Sequence, residues 1–280
     1  MDGLIRVRIE SPAHLEEWVV GQAFQWGAQG VEVCDQTTHD IEPGLVWIHV
    51  WHPAAVAEDI QRKYADMLPQ TLTVTSTLAD MAWTRQLEDT PREIGTQFLL
   101  NGGERPQASR INIELQPGLG FGAGEHPTTR ACVDALEELF RHKPTISRTA
   151  DIGTGTGILA IVAAHLGASV WATDIEDIAR QAAHENCVLN GLADKITVVR
   201  HIPESLGFQL VIANLYAGAL LSMGERLFRW TEPGGHCLIS GITQNAQDQM
   251  MGTYQAIGFQ SQWVHDCGEW VAITLKRPKD

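Results

Sequence analysis

The residues best suited to chemistry form a glycine-rich run, Asp151-Ile152-Gly153-Thr154-Gly155-Thr156-Gly157, which follows an apolar stretch and precedes a helical one. Glycine lets the chain turn tightly and approach a ligand closely, and the amides of a helix N-terminus favour a carboxylate or phosphate. Asp174 closes the next apolar stretch, and a carboxylate can accept hydrogen bonds from both hydroxyls of a ribose. We therefore expect Gly153, Gly155 and Asp174 to bind a cofactor that contains a ribose.

The glycine spacing alone does not decide which cofactor binds, because NAD and S-adenosylmethionine both carry a ribose. The dinucleotide fingerprint is G-x-G-x-x-G, with its third glycine inside the helix. Here the run is G-x-G-x-G, preceded by an aspartate. The residues leave open a methyl-transfer enzyme, an NAD-dependent oxidoreductase and a cofactor-binding module without turnover.

Two further segments contain residue types suited to a ligand site. Four glycines fall within residues 118–124, just before Thr128 and Thr129, and a solvent-exposed loop that ends in a threonine helix cap does not explain this density. Asn214 follows the apolar residues 211–213, at the carboxyl end of a predicted strand, where open α/β sheets bind ligands. We expect Asn214 to face the same crevice as Asp174, and its alternative role is a helix N-cap.

The elements that must position these residues alternate between short apolar strands and amphipathic helices from residue 147 onward, which predicts a mostly parallel α/β sheet. A terminal antiparallel hairpin, with its turn at 266–269, separates this pattern from a plain dinucleotide-binding fold. The predicted strands are 149–153, 169–174, 196–201, 209–215, 235–241, 259–265 and 270–276, and the predicted helices are 157–166, 177–190, 217–229 and 244–257.

The N-terminal part of the chain follows a β-α-β-β-α-β pattern, which predicts a ferredoxin-like α+β domain over residues 1–77. Its two helices are expected to open at Ser11-Pro12 and at His52-Pro53. Weak periodicity with interspersed glycine and proline predicts a linker region over 78–110, leaving 111–280 as the cofactor-binding domain. The apolar residues expected to anchor the linker region on one domain or the other are Trp83, Ile94, Phe98, Leu99 and Leu100.

Composition narrows the possible partners and location. The 280 residues carry a net charge of −14, which argues against nucleic acid or anionic membrane as a partner and suits a basic one. No apolar run approaches the roughly 20 residues of a membrane span, and the N-terminus lacks a leader pattern. Five cysteines without a C-x-x-C pair and 11 histidines without an H-E-x-x-H pair give no metal-site pattern. We predict a cytoplasmic monomer without a metal.

Three segments carry a specific resemblance, and they occur in the same order as in the family concerned. Residues 120–129 resemble the F-G-T-G-x-H-P-T-T signature of the PrmA methyltransferases, which modify the eleventh protein of the large ribosomal subunit. Residues 151–160 resemble the family's D-x-G-x-G-S-G-I-L-A-I motif, and residues 213–218 resemble its A-N-I-x-A-G motif. Departures from the pattern are Ala123, Glu125, Thr154 and Tyr216.

The resemblance implies a class I methyltransferase fold with S-adenosylmethionine as cofactor and a basic ribosomal protein as substrate, methylated on lysine side chains and on its N-terminal amine. An alternative acceptor is another protein lysine or a small amine. The small N-terminal domain would recognise the substrate, and Asn214 would orient the acceptor amine as the catalytic residue. The residues expected to bind or line the cofactor site are Phe121, Thr128, Thr129, Gly153, Gly155, Asp174 and Asn214.

Overall fold

A computed structural model of the chain describes residues 4–28, 30–34, 42, 44–67, 74–78, 91–101, 110–116 and 126–279. The chain divides into two compact units, Met1–Arg85 and Gln86–Asp280. Each unit has its own apolar core. Among the described residues, no helix combines the length and the apolar character that a membrane crossing requires.

The first unit has the predicted ferredoxin-like order of elements. One antiparallel sheet has the strand order β2-β3-β1-β4. Side chains alternate along β1, so that Ile5, Val7 and Ile9 are buried and pack in one core with residues of both helices, including Val19 and Ile60. The elements are β1 (Leu4–Pro12), α1 (Glu16–Gln25), β2 (Gly30–Cys34), β3 (Leu45–Pro53), α2 (Ala57–Met67) and β4 (Val74–Leu78).

Both predicted helix starts in this unit are wrong. Ser11 and Pro12 still pair with β3, the Ser11 side chain is buried, and its hydroxyl donates to the carbonyl of Pro12 rather than capping a helix. His52 and Pro53 likewise still pair with β1. Because proline has no amide donor, it is compatible with the end of a strand as well as with the first turn of a helix. In this unit the two prolines end strands, and a single 3-10 turn separates each strand from the helix that follows.

The region predicted as a linker, 78–110, contains ordered strands of the second unit. A small sheet has the order β5-β6-β7, with β5 at Arg92–Ile94, β6 at Phe98–Leu100 and β7 at Ile111–Ile113. Ile94, Phe98 and Leu100 are buried in the core of the second unit, which accounts for their apolar character, and Trp83 lies outside the described residues. Strands of three residues are too short to show a periodicity, which is why the sequence did not predict them.

A seven-stranded sheet dominates the second unit and has the order β10-β9-β8-β11-β12-β14-β13, parallel except for the last hairpin. This order and the terminal hairpin confirm the predicted fold class. The strands are β8 (Arg148–Ile152), β9 (Ser169–Thr173), β10 (Ile196–Val199), β11 (Phe208–Asn214), β12 (Thr231–Thr243), β13 (Gln260–Cys267) and β14 (Trp270–Lys276). The helices are α3 (Pro127–His142), α4 (Ile158–His165), α5 (Asp177–Leu189), α6 (Ala217–Trp230) and α7 (Gln247–Ile257).

Helices cover both faces of this sheet. Leu210 and Ile212 of β11 share a core with α3, α4 and α5, whereas Val211 and Ala213 share a second core with α6 and α7. A strand buried on both faces needs a continuous apolar run rather than an alternating one, and β11 has such a run. The fold therefore leaves the ends of the strands, rather than the faces of the sheet, for a ligand.

Candidate cofactor site

Three polar residues predicted to meet at one edge of the sheet do lie at the ends of neighbouring strands. Asp151 lies near the end of β8, Asp174 directly follows β9, and Asn214 ends β11. Because β8 pairs in parallel with both β9 and β11, the carboxyl ends of the three strands share one edge. This is the edge at which open α/β sheets bind ligands.

The glycine-rich turn between β8 and α4 is shaped by close packing. Gly153, Gly155 and Gly157 have φ angles of +72°, +54° and +84°, a region that side chains disfavour. A Cβ atom on Gly153 would collide with Cδ2 of Leu215. The amides of Gly153 and Thr154 donate to the carbonyl of Thr173, at 2.8 and 3.0 Å. The turn is thus tied to β9, and it brings its backbone to the sheet edge.

Asp151 holds this turn from inside the protein. Its side chain is only 1% exposed, and its Oδ2 accepts a hydrogen bond of 2.6 Å from the Thr154 hydroxyl. The pKa of Asp151 is raised to about 6, mainly by burial and also by the charge of Asp174, while hydrogen bonds from the Thr154 hydroxyl and the Ala160 amide oppose the rise. Asp151 therefore supports the turn, and Asp174 is the carboxylate nearer to solvent.

Asp174 is partly exposed and is positioned by main-chain donors. Its Oδ2 accepts from the amide of Gly155 and its Oδ1 from the amide of Glu176, each at 3.1 Å. Each carboxylate oxygen can accept more than one hydrogen bond, so both oxygens retain acceptor capacity for a pair of hydroxyls. The structure thus brings Asp174 and the glycine-rich turn together, as predicted.

Asn214 contacts the residues that follow the second glycine-rich segment. Its Nδ2 donates to the Thr128 hydroxyl at 3.2 Å, and that hydroxyl lies 2.7 Å from Nδ1 of His126. Since the amide of Thr128 also donates to this Nδ1, the nitrogen is an acceptor, which agrees with the lowered pKa that burial gives His126. Oδ1 of Asn214 and the hydroxyl of Thr129 are buried without a hydrogen-bond partner within the described part of the chain.

The helix-cap alternatives for these residues are wrong. The N-cap of α3 is His126, and that of α6 is Tyr216. Neither threonine nor Asn214 is therefore needed as a cap, and their polar atoms remain for another purpose. Phe121 and Glu125, together with the glycines at 118–124, lie outside the described residues.

Sequence reasoning missed two asparagines that support the site, Asn186 in α5 and Asn190 directly after its last residue. Asn186 bonds both to the main chain of Gln116 and to that of Thr156, and Asn190 holds the main chain of Glu114. The sequence did contain a signal for them. The two asparagines are four residues apart and fall on the same side of the helix as the buried Ala179 and Ala183. A polar residue on the apolar side of an amphipathic helix needs a buried partner.

Comparison with known proteins identifies the family. The family model for ribosomal protein L11 methyltransferase (PrmA) matches residues 4–278. The chain belongs to this family. The match confirms the resemblance predicted from the three motifs, and it covers both units of the PrmA-family chain.

Individual relatives agree with this assignment. A ribosomal protein L11 methyltransferase from Listeria welshimeri is 38% identical over 177 residues, which are 61% of this chain and 55% of that protein. The chain therefore spans about half the length of that relative. A protein of the same name from Geobacter metallireducens is 35% identical over 218 residues, covering 75% of this chain and 71% of that one.

A solved structure supports the fold. The crystal structure of a ribosomal protein L11 methylase from Lactobacillus delbrueckii subsp. bulgaricus matches with a TM-score of 0.61 and 30% identity. The match covers 67% of this PrmA-family chain and 98% of that one.

Proposed function

We propose that this chain transfers methyl groups from S-adenosylmethionine to amino groups of the eleventh protein of the large ribosomal subunit, on lysine side chains and at the N-terminal amine. The observation that carries the proposal is a pair of buried acceptors, Oδ1 of Asn214 and the hydroxyl of Thr129, for which the described residues supply no hydrogen-bond partner. A buried polar atom without a partner is costly, and a ligand with donor groups at this edge would satisfy both. Family membership supports the same reaction.

The residues present fit this cofactor. Asp174, with acceptor capacity left on both carboxylate oxygens, would bind the ribose hydroxyls. Gly153 and Gly155 would let the main chain approach the cofactor, while Thr129 and Asn214 would bind its polar amino-acid end. Thr128 lines the site through its bond to Asn214, and we expect Phe121 to line it as well. When bound, the cofactor supplies an electrophilic methyl group attached to a sulfonium.

The protein must present a neutral amine to that methyl group. A lysine with a pKa near 10.4 is mostly protonated at neutral pH, so the site has to favour the neutral form by excluding water. We assign Asn214 the catalytic role of accepting hydrogens from the amine and so aiming its lone pair. Its orientation is fixed by the Thr128 hydroxyl, which accepts from Nδ2 and leaves Oδ1 for the amine or for the cofactor.

The remaining partner assignments follow from the same proposal. The net charge of −14 complements a basic ribosomal protein. The first unit, Met1–Arg85, would recognise this substrate, and we expect a cytoplasmic monomer without direct nucleic-acid binding. Mapping methylated peptides after incubation with the ribosomal protein tests the acceptor, and methylation of a different lysine or of a small amine would support the alternative acceptor.

Calorimetric titration with S-adenosylmethionine and, separately, with NAD tests the cofactor. We expect S-adenosylmethionine alone to bind, and Asp174→Ala to weaken its binding about tenfold, since a hydrogen bond to a charged group contributes roughly 1.5–3 kcal/mol. Asp194→Ala is the matched control, because Asp194 is an exposed carboxylate in the connection after α5. Binding of NAD instead would overturn the proposal.

A further inference from the structure

One buried side chain joins the glycine-rich turn to the main chain at Gln116. Asn186, in α5, is 1% exposed. Its Oδ1 accepts from the amide of Gln116 at 2.8 Å, and its Nδ2 donates to the carbonyl of Thr156, also at 2.8 Å. Thr156 belongs to the glycine-rich turn, and Gln116 is the last residue before the glycine-rich segment at 117–125.

The geometry of a carboxamide makes this connection direct. The donor and the acceptor of Asn186 are attached to one planar carbon, so their relative positions are fixed. If the Thr156 carbonyl moves, the side-chain carboxamide of Asn186 must move with it to keep the bond. The main-chain amide of Gln116 must then move as well, or its bond to Asn186 breaks. Breaking the buried bond between Asn186 and the Thr156 carbonyl leaves a polar group inside the protein without a partner, which is costly.

Asn190, which caps the C-terminal end of α5, provides an internal comparison. Its side chain accepts from the amide of Glu114 at 2.9 Å and donates to the carbonyl of Glu114 at 2.6 Å. It also donates to the carbonyl of Asn186 at 2.7 Å. It thus holds the same segment to α5, but none of these three bonds reaches the glycine-rich turn.

We infer that Asn186 is a positioning residue that couples occupation of the glycine-rich turn to the main chain at Gln116. A ligand that fixes the Thr156 carbonyl also fixes the Asn186 amide, and therefore stabilises the bond from the Gln116 amide. Linkage makes the effect reciprocal, so a tightened Gln116 bond favours the ligand by the same factor. The inference rests on the proposed function, because it takes S-adenosylmethionine as the ligand of the turn.

Hydrogen exchange of the Gln116 amide, measured on the full chain with and without S-adenosylhomocysteine, tests the coupling. In the unmodified protein we expect bound ligand to slow this exchange about tenfold, as one strengthened hydrogen bond would. Asn186→Ala removes both bonds, and ligand should then bind about tenfold more weakly and leave the exchange unchanged. Asn186→Asp keeps an acceptor for Gln116 but loses the donor to Thr156, so basal protection should remain while the ligand-dependent slowing is lost.

Asn190→Ala is the matched control. It should speed exchange at Glu114 while keeping the ligand-dependent slowing at Gln116. The inference is overturned if the unmodified protein binds ligand without slowing Gln116, or if the slowing persists in Asn186→Asp. A failure of the unmodified protein to bind S-adenosylhomocysteine at all would instead overturn the proposed function on which the inference rests. Thermal melting curves show whether Asn186→Ala still folds. If it does not fold, Asn186→Asp provides the test.

Discussion

Two carboxylates at neighbouring strand ends serve different purposes because their surroundings differ. Asp151 is buried and bonds to the hydroxyl of Thr154, whereas Asp174 is partly exposed and accepts from two main-chain amides. In the sequence both simply follow an apolar run. The sequence therefore predicted where the two acidic groups lie. Which of them supports the turn and which can bind a ligand depends on burial, which only the folded chain shows.

The buried Asp151 should make stability depend on pH. Its pKa is raised from 3.8 to about 6 in the folded protein, so folding favours its protonated form. This stabilisation is complete below about pH 4 and is lost as the pH rises through 6. Over that range Asp151→Asn should gain about 3 kcal/mol in free energy of unfolding relative to the unmodified protein, because each pKa unit corresponds to about 1.4 kcal/mol.

Urea unfolding of the ligand-free proteins at pH 4, 5, 6 and 7 measures this difference. Comparing the two proteins at each pH isolates the contribution of the Asp151 side chain, because the other titratable residues are the same in both. A difference that stays constant from pH 4 to pH 7 would show that folding does not raise the pKa of Asp151.

The sequence was a better guide to the large sheet than to the short elements. Alternating strands and helices predicted every element of the seven-stranded sheet, and the predicted strand 270–276 coincides with β14. The small sheet was missed because its strands are too short to show a periodicity and because a distant residue holds its turn. Glu137 of α3 holds the turn between β5 and β6 from about 40 residues away in the chain. A contact of this kind leaves no local pattern.

Glu137 should be essential to the small sheet. Its buried carboxylate accepts from the amides of Thr96 and Gln97, at 2.8 and 2.7 Å, and from the Thr96 hydroxyl at 2.6 Å. Glu137→Gln replaces one acceptor oxygen with a donor that faces other donors. We expect it to lower the free energy of unfolding by about 2–3 kcal/mol, as for a lost hydrogen bond to a charged group. Thermal and urea unfolding measure the loss.

Glu138→Gln is the control for this prediction. Glu138 is the next residue of α3 and is partly exposed. Its Oε2 lies 3.3 Å from Nε2 of His265. Exposed pairs of this kind contribute at most about 1 kcal/mol. Equal destabilisation by the two variants would mean that the Glu137 bonds do not support the small sheet.

At the scale of the whole molecule, the two units have separate cores, and the boundary between them falls before β5. The first unit contains the ferredoxin-like sheet, and the second contains both the small sheet and the cofactor edge. The predicted domain boundary at residue 111 was set by the weak pattern of 78–110. Burial of Ile94, Phe98 and Leu100 in the core that α3, α4 and α5 share with the large sheet instead requires that this segment stay with the cofactor-binding unit.

Two truncations test this division. A chain of residues 86–280 keeps its core, so we expect cooperative unfolding and S-adenosylmethionine affinity within about threefold of the full chain, since an intact site should lose less than roughly 0.7 kcal/mol of binding free energy. It should no longer methylate the ribosomal protein, because the proposed recognition unit is gone.

A chain of residues 111–280 lacks three side chains that are at most 2% exposed. Each such side chain contributes roughly 1.5–3 kcal/mol by burial, and the sum approaches the entire stability of a typical domain, about 5–15 kcal/mol. The shorter chain should therefore aggregate or lack a cooperative transition. Full methylation by the chain of residues 86–280 would show that the first unit does not recognise the substrate. A stable, cofactor-binding chain of residues 111–280 would show that the second unit folds without the small sheet.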